Sequence, residues 1–146
     1  MAFLKIWRGL RQRREALTSG TTTRTPFTTV YRQGDVVLVA FPFTDLSSSK
    51  GRPALVVSPD QFNEAAEDLV LVAISSQIRG GPNTLPLNPG DLVRGALPKR
   101  SEVRVTKLFT IHSALVLKRL CRLRERQLAA VLRLLQNFFR RERVAQ

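Results

Sequence analysis

The stretch GDVVLVAFPFTDLSSSKGRPALVVSPD, Gly34 to Asp60, decides how the rest of the chain reads. Val36 to Phe43 is an unbroken β-branched and aromatic run, the pattern of a strand covered on both faces. Thr44 to Gly51 is a polar, serine-rich loop, and ALVVS, closed by Pro59, is a second strand. Arg52 stands between loop and strand. Pro53 pushes the residue before it toward extended geometry. The strand therefore fixes the backbone of Arg52 while its head stays in water. Such an arginine is either an ordinary surface charge, paired with Asp45 or Asp60, or a fixed cationic tool.

Working outward, QFNEAAED allows a helical turn, and Leu69 to Ser75 (LVLVAIS) is a third strand. QIRGGPN is a loop broken by glycine and proline. TLPL, Thr84 to Leu87, can serve only as an edge strand, because Pro86 lacks a ladder donor. SEVRV alternates, with Val103 and Val105 pointing one way and Glu102 and Arg104 the other. KLFTI follows as a further short strand, and LVLKRLCRL still reads as strand. RQLAAVLRLLQNFF then changes period, with Leu128, Val131, Leu132, Leu135 and Phe138 or Phe139 at helical spacing. Five or six short strands and one terminal helix predict a mainly β domain, strongly bent or closed into a small barrel, with the helix as a cap.

The chain has 146 residues and a net charge of +13. That charge is concentrated at the ends. Residues 1–32 hold seven Lys/Arg against Glu15, and residues 118–146 hold nine against Glu125 and Glu142. Between them the two signs balance at eight each. Basic ends suit a polyanion, an acidic protein or an anionic surface. Residues 1–32 read as a basic extension, for which the Thr-rich stretch Thr18 to Thr29 predicts disorder. The alternatives there are an amphipathic helix over Met1 to Ala16 and an organellar transit segment; a secretory signal would need an apolar core of roughly 7–15 residues. The folded domain is expected over residues 33–146. One cysteine and one histidine, Cys121 and His112, leave no disulfide framework and too few soft ligands for a structural zinc. No metal, no cofactor and no membrane span is expected, and a cytoplasmic setting is.

The ordered set GDVV, FPFTD, RPALVVS, AISSQ and KLFT resembles the MazF/PemK (Kid) family of toxins, from about Gly34 to the terminal helix. The resemblance implies an SH3-like β-barrel forming a symmetric homodimer. It implies a type II toxin silenced by an acidic antitoxin, with DNA bound in the antitoxin's company. It also implies a sequence-selective mRNA interferase that cuts single-stranded RNA without metal, leaving a 2′,3′-cyclic phosphate and a 5′-hydroxyl. By motif match, Arg52 falls on the family's catalytic arginine and Ser75 on its catalytic threonine. Gly34 and Asp35 fall on the turn that opens the barrel. The chain departs from the pattern in having serine at 75, no acid between Leu46 and Gly51, and Cys121 and Arg124 where relatives place glycine and a capping serine. The last exchange predicts a weaker helix start, an N-cap contributing about 0.5–2 kcal/mol.

The chemistry explains the residue types. RNA carries its own nucleophile, the 2′-hydroxyl, so the enzyme must align the ribose and stabilise charge on phosphorus. A guanidinium fork matches two phosphate oxygens. It stays protonated, so Arg52 suits a clamp or a donor to the leaving oxygen better than a base. Ser75 would donate to a non-bridging oxygen or orient the ribose; the plain alternative is a serine satisfying backbone at a strand end. Ser76 would exchange faces with it on a one-residue slip. Gln77 reads a base edge or bonds its own loop, and Lys50, Arg79 and Lys107 are candidate phosphate contacts. His112 and Asp45 are weaker candidates for a base, which solvent or the substrate's phosphate can replace. Phe43 and Phe62 read as core. The rival reading is a non-catalytic protein- or nucleic-acid-binding toxin of the same barrel type, such as a gyrase inhibitor.

Overall fold

The computed structural model describes residues 30–40 and 51–143. Most of the basic extension, and the loop segment carrying Asp45 and Lys50, with Phe43 before it, lie outside these residues. Seven strands are present among those described: β1 (Asp35–Val39), β2 (Arg52–Val56), β3 (Asp68–Ser75), β4 (Thr84–Leu87), β5 (Leu92–Val93), β6 (Ser101–His112) and β7 (Val116–Leu123). Helix α1 (Asp60–Ala65) joins β2 to β3, and α2 (Glu125–Phe138) ends the fold. The strands form one antiparallel sheet in the order β4-β6-β3-β2-β1-β7-β5, curled into a half-barrel with the helix against it. TLPL is indeed an edge strand, and both edges are short, which limits exposed ladder groups.

The continuous apolar runs have a direct explanation. Both faces of the central strands are buried. Val36, Leu55, Val72, Ile74, Val103, Val105 and Cys121 pack on one face with Leu128 and Val131 of α2. Val37, Val39, Ala54, Val56, Leu69, Leu71 and Ile111 form a second cluster on the other. Register agrees with this division, since Val36 faces Leu55 and Val37 faces Ala54.

The sequence expectation of two strands, SEVRV and KLFTI, is corrected to one strand of 12 residues. Val72 pairs with Leu108, but the next residue, Ala73, pairs with Arg104, leaving Val105, Thr106 and Lys107 as a three-residue bulge. Three is odd, so the alternation changes phase. Phe109 and Ile111 belong to the second cluster, whereas Val103 and Val105 belong to the first. The same strand thus serves both cores.

The Gly34–Asp35 turn ties β1 to its neighbours. The Gly34 N–H donates to Val56 O at 2.8 Å, and the buried Asp35 carboxylate takes Arg119 Nε at 2.9 Å and Arg122 Nη1 at 3.1 Å. The helix start lacks a side-chain cap, as Arg124 predicted. Arg124 instead donates its backbone N–H to Asp91 O and its Nε to Gly90 O, anchoring the start to the distant Pro89–Asp91 turn. Two apolar expectations fail. Phe62 is 40 % exposed on α1, and Phe138 and Phe139 stand largely exposed at the end of α2, edge to face.

Candidate active site

The second core face becomes polar as it approaches one end of the sheet. Val39 of that face pairs with Arg52 across β1 and β2. Ala54 pairs with Ala73, and carrying that register two residues on places Arg52 opposite Ser75. Ser75 in turn pairs with Glu102, and Ala73 with Arg104. Side chains of paired residues share a face, so Arg52, Ser75, Glu102 and Arg104 all project from the face that buries Ala54 and Val56 below them.

Above this row lies a cleft of about 500 Å³. Arg52, Ser75, Ser76, Gln77, Arg79 and Lys107 all line it. Six of the seven residues singled out from the sequence are therefore in one place; Lys50 lies outside the described residues. Arg52 is exposed and, among the described residues, has no carboxylate partner. Asp60, one of its proposed partners, is engaged elsewhere, accepting from the Gln33 N–H at 2.8 Å. Lys107 owes its place to the bulge. Gly51, just before Arg52, has no room for a side chain: a Cβ there would lie 2.6 Å from Leu38 Cγ.

Ser75 ends β3 half-buried, and its Oγ accepts the Gln77 N–H at 3.2 Å. That contact fixes the hydroxyl oxygen while leaving its hydrogen to donate. Ser76, one residue on, is exposed beyond the strand end.

Two groups of residues were missed in the sequence. One is the loop into β6, where Leu97, Pro98 and Lys99 line the cleft together with the turn after β3. This loop is held by Gly95, at φ +138°, where a Cβ would meet Leu120 O at 2.1 Å. The PKRS run before SEVRV was its only visible signal. The other is the pair Glu102 and Arg104, expected merely to face away from Val103 and Val105 but in fact buried, at 1 % and 9 % exposure. Arg104 Nε donates to Glu102 Oε1 at 2.9 Å. The Arg79 and Gly80 N–H groups donate to Oε1 and Oε2 at 3.2 and 3.1 Å, and Arg104 Nη2 donates to Gln77 O. Burial raises the Glu102 carboxyl, but the hydrogen bonds from Arg104 and the two amides, with the Arg104 charge, outweigh it and hold the group below its ordinary value.

The cleft thus presents Arg52, Arg79, Lys99, Arg104 and Lys107, and among the described residues none that lines it is acidic. Its chemistry is that of a polyanion site with a hydroxyl and an amide among the cations. His112 is elsewhere. It pairs with Asp68 at the far end of the β3–β6 ladder, roughly 20 Å of strand from Ser75. Its Nδ1 accepts the Ala114 N–H at 3.0 Å, and its Nε2 lies 3.5 Å from Glu67. Phe62, on α1, is not among the residues lining the cleft.

A half-barrel with a cationic cleft at the ends of β2, β3 and β6 defines the class of protein, and comparison with known proteins agrees. Residues 32–139 match the family of PemK-like, MazF-like toxins of type II toxin-antitoxin systems, and the chain belongs to that family. The fold is similar to an endoribonuclease in complex with its cognate antitoxin from a Mycobacterial species, at TM-score 0.61 and 18 % identity over 73 % of this chain and 92 % of that one. It is likewise similar to MazE–MazF from Deinococcus radiodurans, at TM-score 0.61 and 22 % identity over 75 % and 95 %. Mycobacterium tuberculosis toxin MazF-mt6 matches at TM-score 0.59 and 17 % identity, over 72 % and 95 %. No curated protein sequence matches the chain. Among the described residues no helix is long and apolar enough to cross a membrane.

Proposed function

We propose that this protein is a sequence-selective endoribonuclease that cleaves single-stranded RNA, the toxin of a type II toxin-antitoxin pair. The observation that carries the reading is the shared row of Arg52 and Ser75 in a cleft whose charged lining residues, among those described, are all cationic. In the reaction, the 2′-oxygen bonds to phosphorus and the P–O5′ bond breaks, giving a 2′,3′-cyclic phosphate and a 5′-hydroxyl. The 2′-hydroxyl proton passes to solvent or to the substrate's own phosphate, and O5′ gains a proton. Arg52 clamps the non-bridging oxygens or donates toward O5′, and Ser75 donates to a non-bridging oxygen. Lys50, Arg79, Lys107 and, added by the structure, Lys99 hold flanking phosphates, while Ser76 and Gln77 face the bases. The working unit is a homodimer, and the partner that silences it is an acidic antitoxin segment that folds on binding. The endoribonuclease name of a structural relative and its antitoxin complex support both halves of the reading.

The test is incubation of purified protein with long single-stranded RNA in excess EDTA, followed by mapping of the ends. Cyclic phosphate and 5′-hydroxyl termini at a recurring short sequence are expected. RNA left intact, or 5′-phosphate termini, would overturn the proposal and favour a non-catalytic binding toxin.

A further inference from the structure

We infer that Glu102 is a positioning residue of the cleft, acting through the turn that follows β3. The inference rests on the nuclease reading above. Three observations carry it. Glu102 is 1 % exposed, yet both of its oxygens are engaged. Its partners are the Arg79 and Gly80 amides and Arg104 Nε, and Arg104 in turn reaches Gln77 O. Every one of these backbone groups belongs to Gln77–Gly80, the turn that follows Ser75 and Ser76 and carries Gln77 and Arg79 along the cleft.

Among the described residues the other hydrogen bonds at this turn are local ones, the Gln77 N–H to Ser75 Oγ and Thr84 to Gly81 O. Gln77 to Gly81 is exposed, and Gly80 and Gly81 have no heavy atom within 4 Å of a would-be Cβ beyond their chain neighbours. Fixing such a segment by apolar packing is therefore closed to it, and a buried carboxylate replaces packing. Buried ion pairs as a class often contribute little net stability. What this one supplies is geometry: the carboxylate sets the path of the turn, and the turn's Gln77 N–H sets Ser75 Oγ. A hydroxyl displaced by about 1 Å from a reacting phosphate costs on the order of 10²-fold in rate.

A bare electrostatic role predicts the opposite sign. Replacing Glu102 by a neutral residue makes the cleft more positive, which tightens phosphate binding. A positioning role lowers kcat with KM unchanged or lower.

The experiment uses the full chain and has two arms. In the first, amide hydrogen exchange is followed residue by residue in the parent and in Glu102→Gln, whose side chain is isosteric. The Arg79 and Gly80 amides are expected to exchange at least tenfold faster in the variant, on the order of a lost buried hydrogen bond, with β3–β6 ladder amides unchanged. In the second, kcat and KM are measured on a mapped RNA oligonucleotide in EDTA. Glu102→Gln is expected to lose 10- to 10²-fold in kcat with KM no higher, on the same positioning argument. Glu102→Asp, which keeps the charge on a shorter arm, is expected to recover part of that loss. Unchanged exchange at Arg79 and Gly80, or kcat within twofold of the parent, would overturn the inference. So would equal losses in Glu102→Gln and Glu102→Asp that follow global unfolding. Should the parent cut no RNA, the nuclease reading falls, and with it the catalytic part of this inference; the exchange arm still decides whether the carboxylate holds the turn.

Discussion

The two ends of the β3–β6 ladder are built from similar side chains and do opposite things. At the Asp68–His112 end, polar groups satisfy one another: His112 caps Ala114 and faces Glu67, and Glu67 O accepts the Ser113 N–H at 2.8 Å. At the Ser75–Glu102 end the acid is buried beneath the surface, bound to Arg104 and two amides, and the cations stand above it facing solvent. The difference teaches that residue type alone does not mark a site. A histidine, the usual suspect for acid-base work, is structural here because its partners are already in place. At the other end Arg52 has no carboxylate partner among the described residues, and Ser75 Oγ accepts the Gln77 N–H with its own hydrogen left to donate.

Substitutions test that contrast most sharply where the groups are unpartnered. Arg52→Ala should lose on the order of 10²–10³ in cleavage rate, the usual effect of removing one charge-stabilising donor. Its melting temperature should barely move, since the side chain is exposed. Single-turnover cleavage within tenfold of the parent would erase the distinction between the two ends. Ser75→Ala should cost less, roughly 10- to 10²-fold, and Ser75→Thr, which keeps the hydroxyl and stiffens χ1, should hold the parent rate or exceed it.

Acid titration probes the buried carboxylate. Because the Glu102 pKa is lowered from 4.5 on folding, its contribution to stability is present above that value and is lost as pH falls through the depressed folded value. Urea midpoints measured from pH 6 down to pH 3 should therefore fall less steeply in Glu102→Gln than in the parent. Equal slopes would mean that the carboxylate gains nothing on folding. At the paired end, His112→Ala should leave cleavage unchanged and cost about 1 kcal/mol of stability through the lost cap, read from denaturant midpoints. A fall in kcat there would reverse the comparison. The smallest effect concerns neither end. Cys121 is fully buried, and burial, aided by the nearby Asp35 charge, pushes its thiol up to about 11. Iodoacetamide at pH 8 should not label it until the chain unfolds.

How much of this was legible in the sequence follows from where each signal resides. Buried strands announce themselves, since Val36, Val37, Leu55 and Val56 must be apolar to serve two cores. Arg52 and Ser75 were found through their motifs, and strand register brings them together although 22 residues of chain separate them. The two-residue β5 has no signal of its own. Lys99 lines the cleft from a loop whose Gly95 lies against the Leu120 carbonyl, a contact no local pattern encodes. Glu102 and Arg104 were read as a solvent-facing alternation, because periodicity distinguishes two faces but not whether the polar one is covered. Phe62 was assigned to the core by type, and Phe138 or Phe139 to the apolar stripe of the helix by spacing, and the fold leaves all three largely exposed.

The bulge at Val105–Lys107 carries a consequence for how this gene can change in length. Removing one codon there would invert the phase of everything upstream in β6, driving Glu102 and Arg104 into the oily interior and turning Val103 toward the cleft. Removing two would preserve the phase and only tighten the corner. Length at this corner is therefore quantised in pairs, and a library of single and double deletions should show survival alternating with parity.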